Sequence, residues 1–152
     1  MTKNSLTLLV FICGILSVYA QSRTIPADTL VVTNHTTTIN GAKINYTAST
    51  GTQPVWDAEG QPKATLFYTY YKRTNTSDKN RPLIISFNGG PGSASVWMHL
   101  AYTGPNVLNI DEEGYPVKPY GYQSNPYSVL DVADIVFLNP VNTCYTRIIE
   151  QK

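Results

Sequence analysis

Residues 81–95 read Arg81-Pro-Leu-Ile-Ile-Ser-Phe-Asn88-Gly89-Gly90-Pro91-Gly92-Ser93-Ala94-Ser95, and the fold turns on this stretch. Residues 82–87 are apolar on both faces apart from Ser86, which predicts an interior strand covered by helices rather than a sheet edge. The strand then breaks into glycine and proline. An Asn-Gly-Gly-Pro-Gly turn brings bare backbone N–H groups to the end of a sheet, where such groups stabilise the negative oxygen of a tetrahedral intermediate. Ser93 or Ser95 is placed to cap a helix through Val96, Trp97, Leu100 and Ala101, whose spacing gives one apolar face.

Working outward, residues 134–138 form a second buried strand ending at Asn139-Pro140, after one helical turn at 128–133. Residues 103–125 are interrupted by proline and glycine and predict a long ordered loop with a short hairpin. Upstream, residues 30–38 and 43–50 flank Asn40-Gly41, the strongest short hairpin signal. Residues 51–62 read as a turn-rich connection with room for a short strand at Val55 and Trp56. An aromatic β run follows at 64–72, and the polar stretch 73–81 predicts an exposed loop closing a second hairpin onto the strand at 82–87.

The 152 residues suit one domain, and a charged fraction of 14% lies well below the roughly 25% of ordinary soluble domains. Eleven Lys plus Arg against ten Asp plus Glu leave +1, so charge marks no nucleic-acid or anionic-membrane partner. Residues 1–20 carry Lys3, an apolar run at 6–16 and the small-residue pattern Val18-Tyr19-Ala20, a secretory signal with cleavage after Ala20. The run is too short to span roughly 30 Å of hydrocarbon. Export, to a periplasmic or secreted location without membrane contact, is the expectation for residues 21–152. With Cys13 removed, Cys144 alone remains, so no internal disulfide is expected, and it reads as structural because no helix start or cation lowers its pKa. Asp131 and Asp134 lack a third ligand, and Asp111-Glu112-Glu113 reads as a solvated turn. No metal and no organic cofactor are assigned.

An ordered series of blocks resembles the secreted serine carboxypeptidases, most closely their bacterial branch: Asn40-Gly41 with residues 44–48, 64–71, Arg81-Pro82, 88–95, Gly104-Pro105, Asn125-Pro126-Tyr127-Ser128 and 132–140. The resemblance implies an α/β fold in which this chain is the N-terminal, β-rich part of an α/β-hydrolase, with leading antiparallel hairpins and the first interior strands. It implies hydrolysis of C-terminal peptide bonds through an acyl-enzyme, on a peptide or protein substrate with a free C-terminus. The Asn88 amide and Gly89 N–H would hold the substrate carboxylate, and Gly90, also in the substrate-binding loop, would donate its N–H to the oxyanion. The start of the following helix would favour the anion further.

Several positions depart from the family pattern. Ser86 stands where fungal and plant members place a Trp, and Tyr102-Thr103 precede Gly104-Pro105 where they carry a Glu. Asn142 and Cys144 occupy two glycine positions of the Asp-Pro-Val-Gly-Thr-Gly pattern, which predicts a strained turn or a lost backbone approach. No Gly-x-Ser-x-Gly nucleophile elbow occurs, and His35 and His99 read as structural. The catalytic triad is therefore expected beyond Lys152, making 21–152 an incomplete domain without turnover of its own. Two other readings stand beside this one. One is an aminopeptidase or esterase of the same fold, whose loop usually begins with His where Asn88 stands; the other is a non-catalytic secreted module that binds peptides.

Overall fold

A computed structural model of the chain describes residues 28–89 and 92–149. The expected signal at 1–20, Cys13 and Gly90 lie outside the described residues. Strand β1 (Leu30–Ile39) and strand β2 (Ala42–Trp56) form the expected hairpin. Asn40 and Gly41 take φ of 49° and 78°, the left-handed pair that matches a two-residue turn to strand twist. Ile39, Ile44 and Tyr46 are thereby turned to one face, where they pack with Leu130 and the partly buried Tyr71 as the core.

β2 runs six residues past its expected end at 50, through Gly51 and Pro54 of the expected turn-rich connection. A Cβ on Gly51 would stand 1.9 Å from the Thr29 carbonyl oxygen, so glycine there admits a close backbone approach, sealed by Thr52 N–H to Thr29 O at 2.9 Å. Pro54 is tolerated because β1 pairing stops at Gly51, leaving its missing N–H on an unpaired edge. Asp57 then closes the turn, accepting from the backbone N–H groups of Glu59 and Gln61 at 3.1 and 2.7 Å and pairing with Lys63 at 2.9 Å. These bonds hold its carboxyl below the usual carboxylate range.

The second hairpin is accordingly β2 with strand β3 (Pro62–Arg73), which corrects the expectation that residues 73–81 close one. Strand β4 (Leu83–Ser86) never touches β3. The six-stranded sheet runs β1-β2-β3-β7-β4, with β7 (Asp134–Leu138) antiparallel to β3 and parallel to β4. Strand β8 (Arg147–Ile148), unanticipated, pairs with the start of β3. Between β4 and β7 lie a short π-helix (Met98–Thr103), a two-stranded sheet of β5 (Asn106–Leu108) and β6 (Tyr122–Ser124), and a 3-10 turn (Val129–Asp131). The loop with a hairpin and the single helical turn thus stand as expected. Ser128 caps that turn by accepting from Leu130 N–H at 3.3 Å.

A buried ion pair fastens the start of β4 to β7. Arg81 meets Asp134 at 3.0 Å and spends its remaining N–H groups on the carbonyls of Leu130 and Asp131, at 2.8 and 3.3 Å. The same Asp134 carboxylate accepts from Arg73 N–H at 3.1 Å. Beyond this anchor β4 has β7 on one side and no strand partner on the other among the described residues.

Candidate functional site

The parallel register of β4 and β7 builds the site. Ser86 stands opposite Phe137, so two residues later Asn88 and Asn139 leave the same end of the sheet side by side. Ligands of open parallel sheets bind at this carboxyl end of the strands.

Ser95 joins the two exits. Its backbone N–H donates to Asn139 Oδ1 at 2.9 Å, and its hydroxyl accepts from Asn88 N–H at 3.3 Å while donating to the Leu138 carbonyl. Asn139 N–H in turn donates to Phe67 O at 3.0 Å, fixing the clasp to β3. Ser95 is almost wholly buried. The expectation that Ser93 or Ser95 caps the helix with its side chain is corrected: Ser95 contributes only its carbonyl, to His99 N–H at 2.9 Å, and the role falls to Asn88, whose Oδ1 accepts from Met98 N–H at 3.3 Å. Val96 and Trp97 are helical, as expected, and run directly into the π-helix at Met98–Thr103.

Asn88 has thus committed its backbone N–H and its side-chain oxygen inward, and among the described residues its Nδ2 group donates to no protein acceptor. Gly89 is exposed, with no atom within 4 Å of where a Cβ would sit, so a ligand can approach its backbone. Gly90, the expected oxyanion donor, lies outside the described residues.

Two further groups brace the loop from behind. His99 bonds to the Tyr71 hydroxyl through Nε2 at 2.7 Å and stacks on Phe137 with ring centroids 4.5 Å apart. Burial pushes its imidazole down to about 4 and raises the Tyr71 phenol, so both are neutral at ordinary pH. At the other end of the helix, Asn125 Nδ2 donates to the carbonyls of Tyr102 and Gly104 at 2.7 and 2.8 Å, and the Ser128 hydroxyl donates to Thr103 O at 3.0 Å. The Asn125 and Ser128 side chains of this block therefore hold the carbonyls at the end of the helix.

The turn after β7 keeps a glycine-type backbone without glycine. Asn142 and Cys144 sit at φ of 62° and 48°, so the strained-turn expectation describes this segment. Cys144 is exposed and unpaired among the described residues. Sequence reasoning passed over Asn139 and the clasp function of Ser95, since neither is visible until β7 lies beside β4. Its only local signal was the serine-rich run after the glycines. Among the described residues no three His, Cys, Asp or Glu side chains are placed to hold a metal ion, and no helix is long and apolar enough to cross a membrane.

Comparison with known proteins gives one consistent family. The family model described as serine carboxypeptidase matches residues 45–147, more than half of the chain. Carboxypeptidase Y of Saccharomyces cerevisiae is 33% identical over 109 residues, which is 71% of this chain and 18% of that protein. Carboxypeptidase Y homolog A of Emericella nidulans is 37% identical over 83 residues, 53% of this chain and 13% of the relative. A pheromone-processing carboxypeptidase of S. cerevisiae is 33% identical over 94 residues, 59% of this chain and 12% of the relative. The chain thus spans less than a fifth of the length of these curated relatives. They are fungal, and a bacterial-type branch does not follow from them.

Proposed function

The chain belongs to the serine carboxypeptidase family, and from that premise we propose that it supplies the substrate-carboxylate and oxyanion loop of an exported serine carboxypeptidase. The observation that carries the reading is the clasped exit of β4, where Ser95, itself held by Asn139, fixes the Asn88 backbone N–H at the carboxyl end of a parallel strand pair. Rigidity matters because a donor preorganised toward developing charge costs no rearrangement when the oxyanion forms. In this reading the Asn88 Nδ2 group and the Gly89 N–H bind the substrate's terminal carboxylate. Gly90 N–H faces the carbonyl oxygen that becomes negative, a contribution of roughly 2.7–4 kcal/mol to the transition state. The attacking serine and its His and Asp partners come from polypeptide outside these 152 residues, and the acyl-enzyme forms there. Residues 1–20 direct export and are removed after Ala20. Asn88 at the head of the loop, with three carboxypeptidases among the relatives, favours this reading over an aminopeptidase or esterase.

The test is binding by the chain as it stands. A short peptide with a free C-terminus is expected to shift the Gly89 amide resonance, the same peptide amidated to leave it in place, and Asn88→Ala to abolish the shift with far-ultraviolet circular dichroism unchanged. Release of C-terminal residues is expected to be absent. Equal response to free and amidated peptides overturns the carboxylate assignment, and sustained turnover by the pure chain overturns the division of labour.

A further inference from the structure

His99 stands where the loop meets the core. Its backbone N–H donates to the Ser95 carbonyl at 2.9 Å, and the Ser95 hydroxyl accepts the Asn88 N–H at 3.3 Å. Met98, the residue before it, donates its own N–H to Asn88 Oδ1 at 3.3 Å. Both groups that Asn88 turns inward are therefore held by one stretch, Ser95 to His99. That stretch is fixed to the sheet through the His99 side chain. Its Nε2 shares a 2.7 Å hydrogen bond with the Tyr71 hydroxyl of β3, and its ring stacks on Phe137 of β7 with 17° between the planes. Tyr71 packs edge-on against Tyr46 and Phe137 and lies against the core of Ile39, Ile44 and Leu130. Gly104 closes over the far side, where a Cβ would collide with the His99 carbonyl oxygen. Burial keeps the imidazole neutral down to about 4, so at pH 7 the bond to Tyr71 joins two uncharged groups.

We infer that His99 is a positioning residue for the substrate carboxylate: bonded to Tyr71, it holds Ser95 and Met98 where they aim the Asn88 amide at the ligand. The inference rests on the carboxylate role proposed for Asn88 and adds the group that sets it. A terminal amide turns about a broad torsion unless one of its atoms is held. Met98 N–H holds the oxygen, which leaves Nδ2 as the group offered to a ligand. Moving Met98 by about 1 Å carries that 3.3 Å bond out of hydrogen-bond range and frees the amide to rotate. Affinity then falls although Asn88 itself is unchanged, because the donor has to be ordered at the moment of binding. Every bond of the relay joins residues of this chain, so none depends on what lies beside the sheet.

The experiment is a set of peptide affinities at pH 7, read from the Gly89 amide resonance of the full chain, with circular dichroism checking the fold of each variant. The probe is a short peptide with a free C-terminus, and its amidated form is the control. His99→Phe keeps a ring on Phe137 and drops the bond to Tyr71; Tyr71→Phe drops the same bond from the other side. Each is expected to weaken the free peptide about tenfold, and the double variant no more than either alone, since one bond is lost in all three. His99→Gln, whose amide reaches the Nε2 position, is expected to recover most of the affinity, and His35→Phe on exposed β1 to leave it unchanged. Wild-type affinity in the folded single variants, additive losses in the double, or no recovery with glutamine overturns the inference and leaves the carboxylate reading standing. A wild-type chain that binds free and amidated peptides equally overturns both. Should His99→Phe fail to fold, Tyr71→Phe, which removes one hydroxyl, and His99→Gln decide the matter.

Discussion

The β1–β3 half of the sheet and the β4 edge are built from similarly apolar residues, yet Ile39 and Ile44 are fully buried while Leu83 and Ile85 stand more than half exposed. β1–β3 is made of two hairpins whose partners follow within a few residues, so its side chains find their neighbours locally. β4 meets its partner β7 only across a crossover of nearly fifty residues, and among the described residues its other side has no strand beside it.

The comparison breaks first at the joint between the regions. Arg81→Ala leaves Asp134 buried without its guanidinium and frees the Leu130 carbonyl, while Asp131 O keeps its bond from Arg73, and a loss of about 3–5 kcal/mol is expected in chemical denaturation. A smaller cost would mean that water already reaches the pair. The contrast itself is measured by truncating one isoleucine on each side. Ile44→Ala is expected to cost about 2–5 kcal/mol, and Ile85→Ala no more than about 0.5 kcal/mol. Equal costs would show that β4 is covered.

Acid probes the stitch that holds the helix to β3. The unfolded His99 titrates near 6.5 and the folded one at about 4, so as pH falls through that window the unfolded chain takes the proton first. Stability is full above pH 6.5 and is expected to fall by on the order of 3 kcal/mol toward pH 4, with His99→Phe flattening that slope in denaturant titrations at a series of pH values. The smallest effect lies in the turn after β7, where Cys144 holds φ at 48°. Cys144→Gly is expected to raise the denaturation midpoint, by about 0.5–1 kcal/mol, since a non-glycine residue there costs roughly 1–2 kcal/mol before the added flexibility of glycine is subtracted.

Legibility followed the range of the interactions. The Asn40-Gly41 turn, the strand at Asp134–Leu138 and the helical turn within 128–133 were readable because a turn's φ values, a strand's apolar run and a single helical turn are set by neighbours in sequence. Gly51 and Pro54 misled for a related reason. Read locally they break strands, whereas their effect depends on the approach of Thr29 and on where β1 stops. In the candidate site, Asn88 and Gly89 were legible from the glycine-rich loop and its family resemblance. Asn139 and the clasp at Ser95 were not, since a hydrogen bond across forty-four positions leaves no periodic trace.

By itself the amino-acid sequence determined the first hairpin, the apolar strands, the glycine loop and the family to which they belong. Tertiary structure alone decided that β7 would lie between β3 and β4, and that Asn88 and Asn139 would leave the sheet together. The physical reason is that backbone preference and burial pattern are properties of a segment, whereas strand order and exposure are set by which distant segments come to lie beside it.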